Sequence, residues 1–89
     1  MFLFQVEERF MITGRGLVLL PGFGNKKVRI NDKIKIVRPD KSVIHTRVRG
    51  IGFQMHDILV GENLVKDDIP IGSEVWLDSL EAESPRGAI

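Results

Sequence analysis

Apolar residues in this chain recur at every second position in short runs, and each run ends at a glycine, a proline or an Asn-Asp pair. This pattern narrows the fold more than any other feature, because strand side chains alternate between faces whereas a helix repeats every ~3.6 residues. Phe2, Phe4 and Val6 alternate with Leu3, Gln5 and Glu7, which predicts a strand with one buried face. Residues 17–20 form a second apolar run, stopped by Pro21-Gly22. Val28 and Ile30 alternate with Lys27 and Arg29, Asn31-Asp32 reads as a turn, and Ile34 and Ile36 follow, so the spacing predicts a hairpin. Arg38-Pro39-Asp40-Lys41 is a turn with proline at its second position. Residues 43–53 read as one long strand with a bulge or kink near Gly50 to Gly52, where the parity fails. Two short runs, 58–60 and 75–77, complete the set, and no window supports an amphipathic helix. The pattern therefore predicts an all-β barrel or sandwich, with closure as the way to remove exposed edges. Residues 1–79 are expected to form one domain, and 80–89 a flexible C-terminal tail with little to bury.

Within that frame, Phe10-Met11-Ile12-Thr13-Gly14-Arg15-Gly16-Leu17-Val18-Leu19 sets one arginine between two glycines and two apolar runs. Glycine has no Cβ, so Gly14 and Gly16 allow a sharp turn that presents Arg15. Taken alone, the tripeptide is an ordinary hairpin corner with a solvated arginine.

At 89 residues the chain has room for one small core and none for a nucleotide-binding α/β domain beside it. The absence of cysteine excludes disulfides, thiolate zinc sites and thiol nucleophiles. Met1-Phe2-Leu3-Phe4 is too short for a signal sequence and runs straight into Glu7 and Glu8, which predicts a cytoplasmic, non-membrane protein. The net charge is only +1, but it is unevenly distributed. Residues 26–49 carry nine Lys and Arg, among them Lys26, Lys27, Arg47 and Arg49, against Asp32 and Asp40, whereas residues 57–83 carry eight acids against Lys66. A face built from the middle segment would attract phosphates or an acidic protein; strands interleaved from both halves would instead neutralise one another.

No catalytic constellation emerges. Asp67 and Asp68 are adjacent, so on a strand they would point to opposite faces and could not act as a carboxylate pair. His45 and His56 lack partners at metal-ligand spacing, so no metal and no cofactor are expected. Trp76, between Val75 and Leu77, reads as a residue sealing the barrel, with base stacking as the alternative. Gly22-Phe23-Gly24-Asn25-Lys26-Lys27 joins glycines that admit phosphates, two cations and an aromatic expected to be exposed, Phe23; a plain hairpin tip is the alternative.

The run Phe4-Gln5-Val6-Glu7-Glu8-Arg9-Phe10-Met11-Ile12-Thr13-Gly14-Arg15-Gly16 resembles the opening of the β-barrel second domain of elongation factor Tu and related translational GTPases. Val28-Arg29-Ile30-Asn31-Asp32-Lys33-Ile34-Lys35-Ile36, Thr46-Arg47-Val48-Arg49-Gly50-Ile51-Gly52-Phe53 and Ile71-Gly72-Ser73-Glu74-Val75-Trp76-Leu77 are similar to later segments of that domain in the same order. The resemblance implies a small closed six-stranded Greek-key barrel without chemistry of its own. In the family this barrel docks on the GTPase domain, faces the small ribosomal subunit and, in elongation factor Tu, holds the aminoacylated 3′ end of tRNA. Glu7, Glu8, Phe10 and Arg15 match positions near that RNA end or the ribosome-facing loop. Two departures stand out: Gly52 replaces a pocket glutamate, and the loop between Phe53 and Ile58 is shorter, which implies the loss of an acceptor and a wall of the pocket.

Two functions follow as expectations. One is a non-catalytic module for RNA or a ribonucleoprotein, using Glu7, Glu8, Phe10, Arg15, Phe23, Lys26, Lys27, Arg47 and Arg49, with the basic residues on one face. The other is a protein-binding module that regulates or mimics a translational GTPase by docking like its second domain. The sequence carries no signal for an oligomeric state.

Overall fold

The computed structural model describes residues 1–78, so the tail expected over 80–89 lies outside the described residues. Eight strands and one 3-10 turn follow one another: β1 (Phe2–Gln5), β2 (Glu8–Ile12), β3 (Gly16–Leu20), β4 (Lys33–Val37), β5 (Val43–Arg47), β6 (Gly50–Ile51), β7 (Ile58–Val60), the turn Lys66–Asp68, and β8 (Glu74–Leu77). They form two antiparallel sheets of four strands, ordered β1-β8-β4-β5 and β2-β3-β7-β6. The all-β expectation holds, with eight strands among the described residues in place of six. The difference arises where the chain leaves one sheet for the other in mid-run.

Those crossings are short. Val6 donates to the carbonyl of Ser73 and the next residue, Glu7, donates to Leu20, so adjacent amides serve different sheets. Likewise Val48 donates to Asp32 while Arg49 donates to Leu59, which splits the expected long strand at Val48 rather than at the glycines. The segment 28–30 is not a strand either. Arg29 donates to the Asp32 carboxylate at 2.9 Å, Asp32 donates back to the Arg29 carbonyl at 3.1 Å, and Asn31 adopts φ 79°. That tight reversal buries Val28, leaves Ile30 exposed and frees β4 to pair with β5 and β8 instead.

Leu3, Phe4, Leu17, Leu19, Ile34, Ile36, Ile58, Val60 and Val75 meet between the sheets as the core, with Ile69 and Leu64 closing over it. Alternation fails at one point that matters later. The register shifts between Phe2 and Phe4, so Leu3 and Phe4 both turn inward and Phe2 is left 40% exposed on the outer face. Trp76 also lies outside the core cluster, because Val75 takes the inward position; it does not seal the interior.

The turn expected at residues 38–41 forms, with Lys41 at φ 77° and Arg38 donating to the Ser42 carbonyl. The Asp40 carboxylate accepts from the Ser42 hydroxyl and amide, and these bonds, the hydroxyl first, hold its pKa below the ordinary carboxylate value. A depressed folded-state pKa contributes stability above the unfolded-state value, and the contribution is lost as pH falls through the folded one. A carbon-13 NMR titration is expected to show Asp40 with a lowered midpoint that rises in Ser42→Ala.

Candidate nucleic-acid interface

The turn between β2 and β3 is built as the two glycines require. Arg15 donates its amide to the Ile12 carbonyl at 2.9 Å, while Gly14 and Gly16 take φ of 81° and 139°. A Cβ on Gly16 would overlap the Val60 carbonyl oxygen, so the absent side chain lets β3 start against the end of β7. Arg15 is thereby carried on an exposed tip. Beside it, Arg49 leaves the β5–β6 crossing and the chain after β7 returns, so that Arg15, Arg49, Glu62 and Asn63 border one cleft of about 440 Å³.

A second hollow, about 200 Å³, adjoins this cleft and shares Arg15 and Leu59 with it. Its floor is the outer face of the second sheet, where Phe10, Val18, Leu59 and Gly50 stand opposite one another in register. Val18 is only 3% exposed although it stands apart from the core cluster, which marks this outer face as apolar. Gly50 and Gly52 leave the far side of the hollow low, and Asp57 closes it. The Gly52 amide donates to the Asp57 carbonyl at 2.9 Å, and a Cβ on Gly52 would run into the Asp57 carboxylate. A carboxylate thus stands where a side chain at position 52 would begin. That carboxylate comes from the residue just before β7, on the far side of the β6–β7 turn.

The remaining sequence candidates divide among separate surfaces. Glu7 sits at the β1–β2 crossing, Glu8 starts β2 with its carboxylate turned back on the Arg9 amide at 2.9 Å, and Phe10 is exposed on the apolar face. Phe23 corrects the expectation of an exposed aromatic: it is 4% exposed, and its ring stacks on His56 at 5.1 Å and 13°. Tethering explains this, since Phe23 and Gly24 donate to the carbonyls of His56 and Met55 and His56 Nδ1 lies 2.6 Å from the Gly24 carbonyl oxygen. Lys26 and Lys27 are exposed beside that pair, in a third hollow with Arg29 and Ile51. Arg47 lies in the first sheet, on β5, with Nη1 donating to the Asn31 carbonyl at 2.9 Å. One continuous basic face is therefore not formed. The structure brings Arg15 to Arg49, sets Lys26 and Lys27 together, and places Arg47 elsewhere.

Sequence reasoning missed Asp57, Glu62 and Asn63 as neighbours of Arg15. The Gly50-x-Gly52 spacing was the only available signal, and it was legible as a kink rather than as the open side of a hollow. Among the described residues, no group of three or more His, Cys, Asp or Glu could hold a metal ion, and no helix is long and apolar enough to cross a membrane.

No protein-family model matches the chain, and no solved structure does. The chain is similar to the apicoplast elongation factor Tu of Theileria parva, 33% identical in an alignment 84 residues long, with 83% of this chain covered. It spans about a fifth (20%) of that protein's length. The likeness supports an elongation factor Tu-like domain.

Proposed function

We propose that this chain is a non-catalytic, translation-factor-like module that binds RNA, free or within a ribonucleoprotein, at the Arg15–Arg49 cleft and the apolar hollow beside it. In this reading the domain corresponds to the second domain of an elongation factor Tu-like protein, works in the cytoplasm, and closes its two sheets into a Greek-key barrel through the crossings at Val6–Glu7 and Val48–Arg49. The single observation that carries the reading is the position of Arg15, which borders both cavities. A phosphate in the cleft would meet two guanidiniums, while the attached sugar and base would lie over Val18 and Leu59 with the Asp57 carboxylate as acceptor for a hydroxyl or amino group. Nothing in this arrangement activates a nucleophile, so the module presents RNA to another component and does not cut or join it.

The test is titration of labelled tRNA and of a short single-stranded RNA at low salt, read by fluorescence anisotropy. The Arg15→Ala/Arg49→Ala pair is expected to weaken binding by about 2–4 kcal/mol and to reduce the salt slope by roughly two, as for two lost phosphate contacts. No binding by the unaltered protein at low salt would end the RNA reading. One observation favours the second reading, a protein-docking regulator: the 52–57 loop exposes Phe53 completely (100%) and Met55 by 58%. A pull-down in which Phe53→Ser/Met55→Ser loses a protein retained by the unaltered chain would support it, and recovery of RNA alone would count against it.

A further inference from the structure

The outer face of the first sheet carries residues that the proposed site does not use. In register, Phe2 stands opposite Trp76, Trp76 opposite Lys35, and Lys35 opposite His45, so one row crosses β1, β8, β4 and β5 from edge to edge. Every member of this row is aromatic or basic. The Phe2 and Trp76 rings meet edge to face at 5.4 Å and 73°, and the Lys35 ammonium lies 5.8 Å from the centre of the indole. In the next outward row Arg47 stands opposite Lys33, and both border a hollow of about 360 Å³ with His45 and Asp78. Two carboxylates lie nearby: Glu74, which accepts from the indole nitrogen at 3.0 Å, and Asp78.

We infer that this row is a second RNA contact, a stacking platform for single-stranded RNA on the sheet away from the Arg15 cleft. Two features together select the occupant. A cationic stripe alone would suit any polyanion, and an aromatic pair alone would suit any apolar partner. Single-stranded nucleic acid offers a π-face and a phosphate at every step, which is what an aromatic pair set directly beside basic residues, over a few strand spacings of ~4.8 Å, complements. Phe2 reaches the surface only because the bulge in β1 turns Leu3 inward in its place. In the free protein Lys35 lies against the indole; on binding, a base takes that place and the ammonium moves to a phosphate, with Arg47 holding the next one through the guanidinium nitrogens not bonded to Asn31. The row runs from one edge strand to the other, so the RNA can continue past either end.

Trp76 is the only tryptophan and the chain has no tyrosine, so intrinsic emission reports this row directly. Titration with an oligouridylate of about ten nucleotides is expected to quench Trp76 emission saturably. Phe2→Ala should weaken the quenching transition roughly tenfold, and Lys35→Ala/Arg47→Ala roughly tenfold to a hundredfold, each with the far-UV circular dichroism unchanged. Arg15→Ala/Arg49→Ala should leave the transition in place, which separates this surface from the proposed site on the other sheet. Inorganic polyphosphate, which has charge but no bases, should bind without quenching. The inference is overturned if oligouridylate leaves the emission unchanged, if Lys35→Ala/Arg47→Ala quenches with unaltered affinity, or if polyphosphate or an acidic peptide quenches as strongly as RNA.

Discussion

Gly16→Ala is expected to cost the protein about 3 kcal/mol or more, a large part of the stability available to a domain of this size. Two effects act at the same position. The backbone there has φ 139°, a conformation that side chains rarely adopt, and the added Cβ would overlap the Val60 carbonyl oxygen and crowd the Val60 and Gly61 carbonyl carbons at 3.2 Å. These neighbours are backbone atoms, so relief requires β3 and β7 to separate just where Leu17 pairs with Val60. Gly14→Ala is the control. Gly14 also has positive φ, at 81°, but nothing lies within 4 Å of its Cβ position, so only the conformational cost of about 1 kcal/mol applies. Urea unfolding of the two variants should differ by about 2 kcal/mol. Equal losses would show that the close approach of β3 to β7 does not set the cost.

The second large effect concerns Phe23. Phe23→Ala is expected to cost about 3–5 kcal/mol, the range for truncating a buried phenylalanine, whereas Phe23→Leu, which keeps most of the volume, should cost less than about 1.5 kcal/mol. The ring is a core member, and its stack on His56 joins the 21–32 connection to the chain ahead of β7. Under the proposed function, RNA affinity corrected for the folded fraction should be the same in both variants, because the buried ring borders neither cavity of the proposed site. A Phe23→Ala protein of normal stability with reduced RNA affinity would reverse this assignment. Phe23 sits in a glycine-rich, lysine-flanked loop, and that composition reads as an exposed tip. Its burial depends on the 55–57 segment, some thirty residues away in the chain, which accepts the loop's amide hydrogen bonds.

The same distinction between local and distant causes runs through the molecule. Arg15 was readable as a presented side chain because two glycines and two flanking apolar runs suffice to make the turn. The turns at Asn31-Asp32 and at residues 38–41 were readable from equally local chemistry, an Asn-Asp pair and a proline followed by Asp. By contrast, Arg47 and Arg49 share a parity and would lie on one face of a continuous strand. The chain passes from the first sheet to the second at Val48, so Arg47 stays beside Lys33 while Arg49 joins Arg15. Asp57 gives no sign in the sequence of filling the space beside Gly52, since only the pairing of β6 with β7 brings them together.

By itself the sequence determined the class of structure, the positions of most strands and turns, and the corner that carries Arg15, since alternation and turn chemistry act over two to five residues. Only the tertiary structure decided which sheet each strand joined, which of Leu3 and Phe2 faced outward, that Phe23 was core and Trp76 surface, and which arginines met. Those outcomes depend on hydrogen bonds and packing between residues remote in the chain, where a one-residue bulge or a crossing between sheets reassigns every side chain that follows.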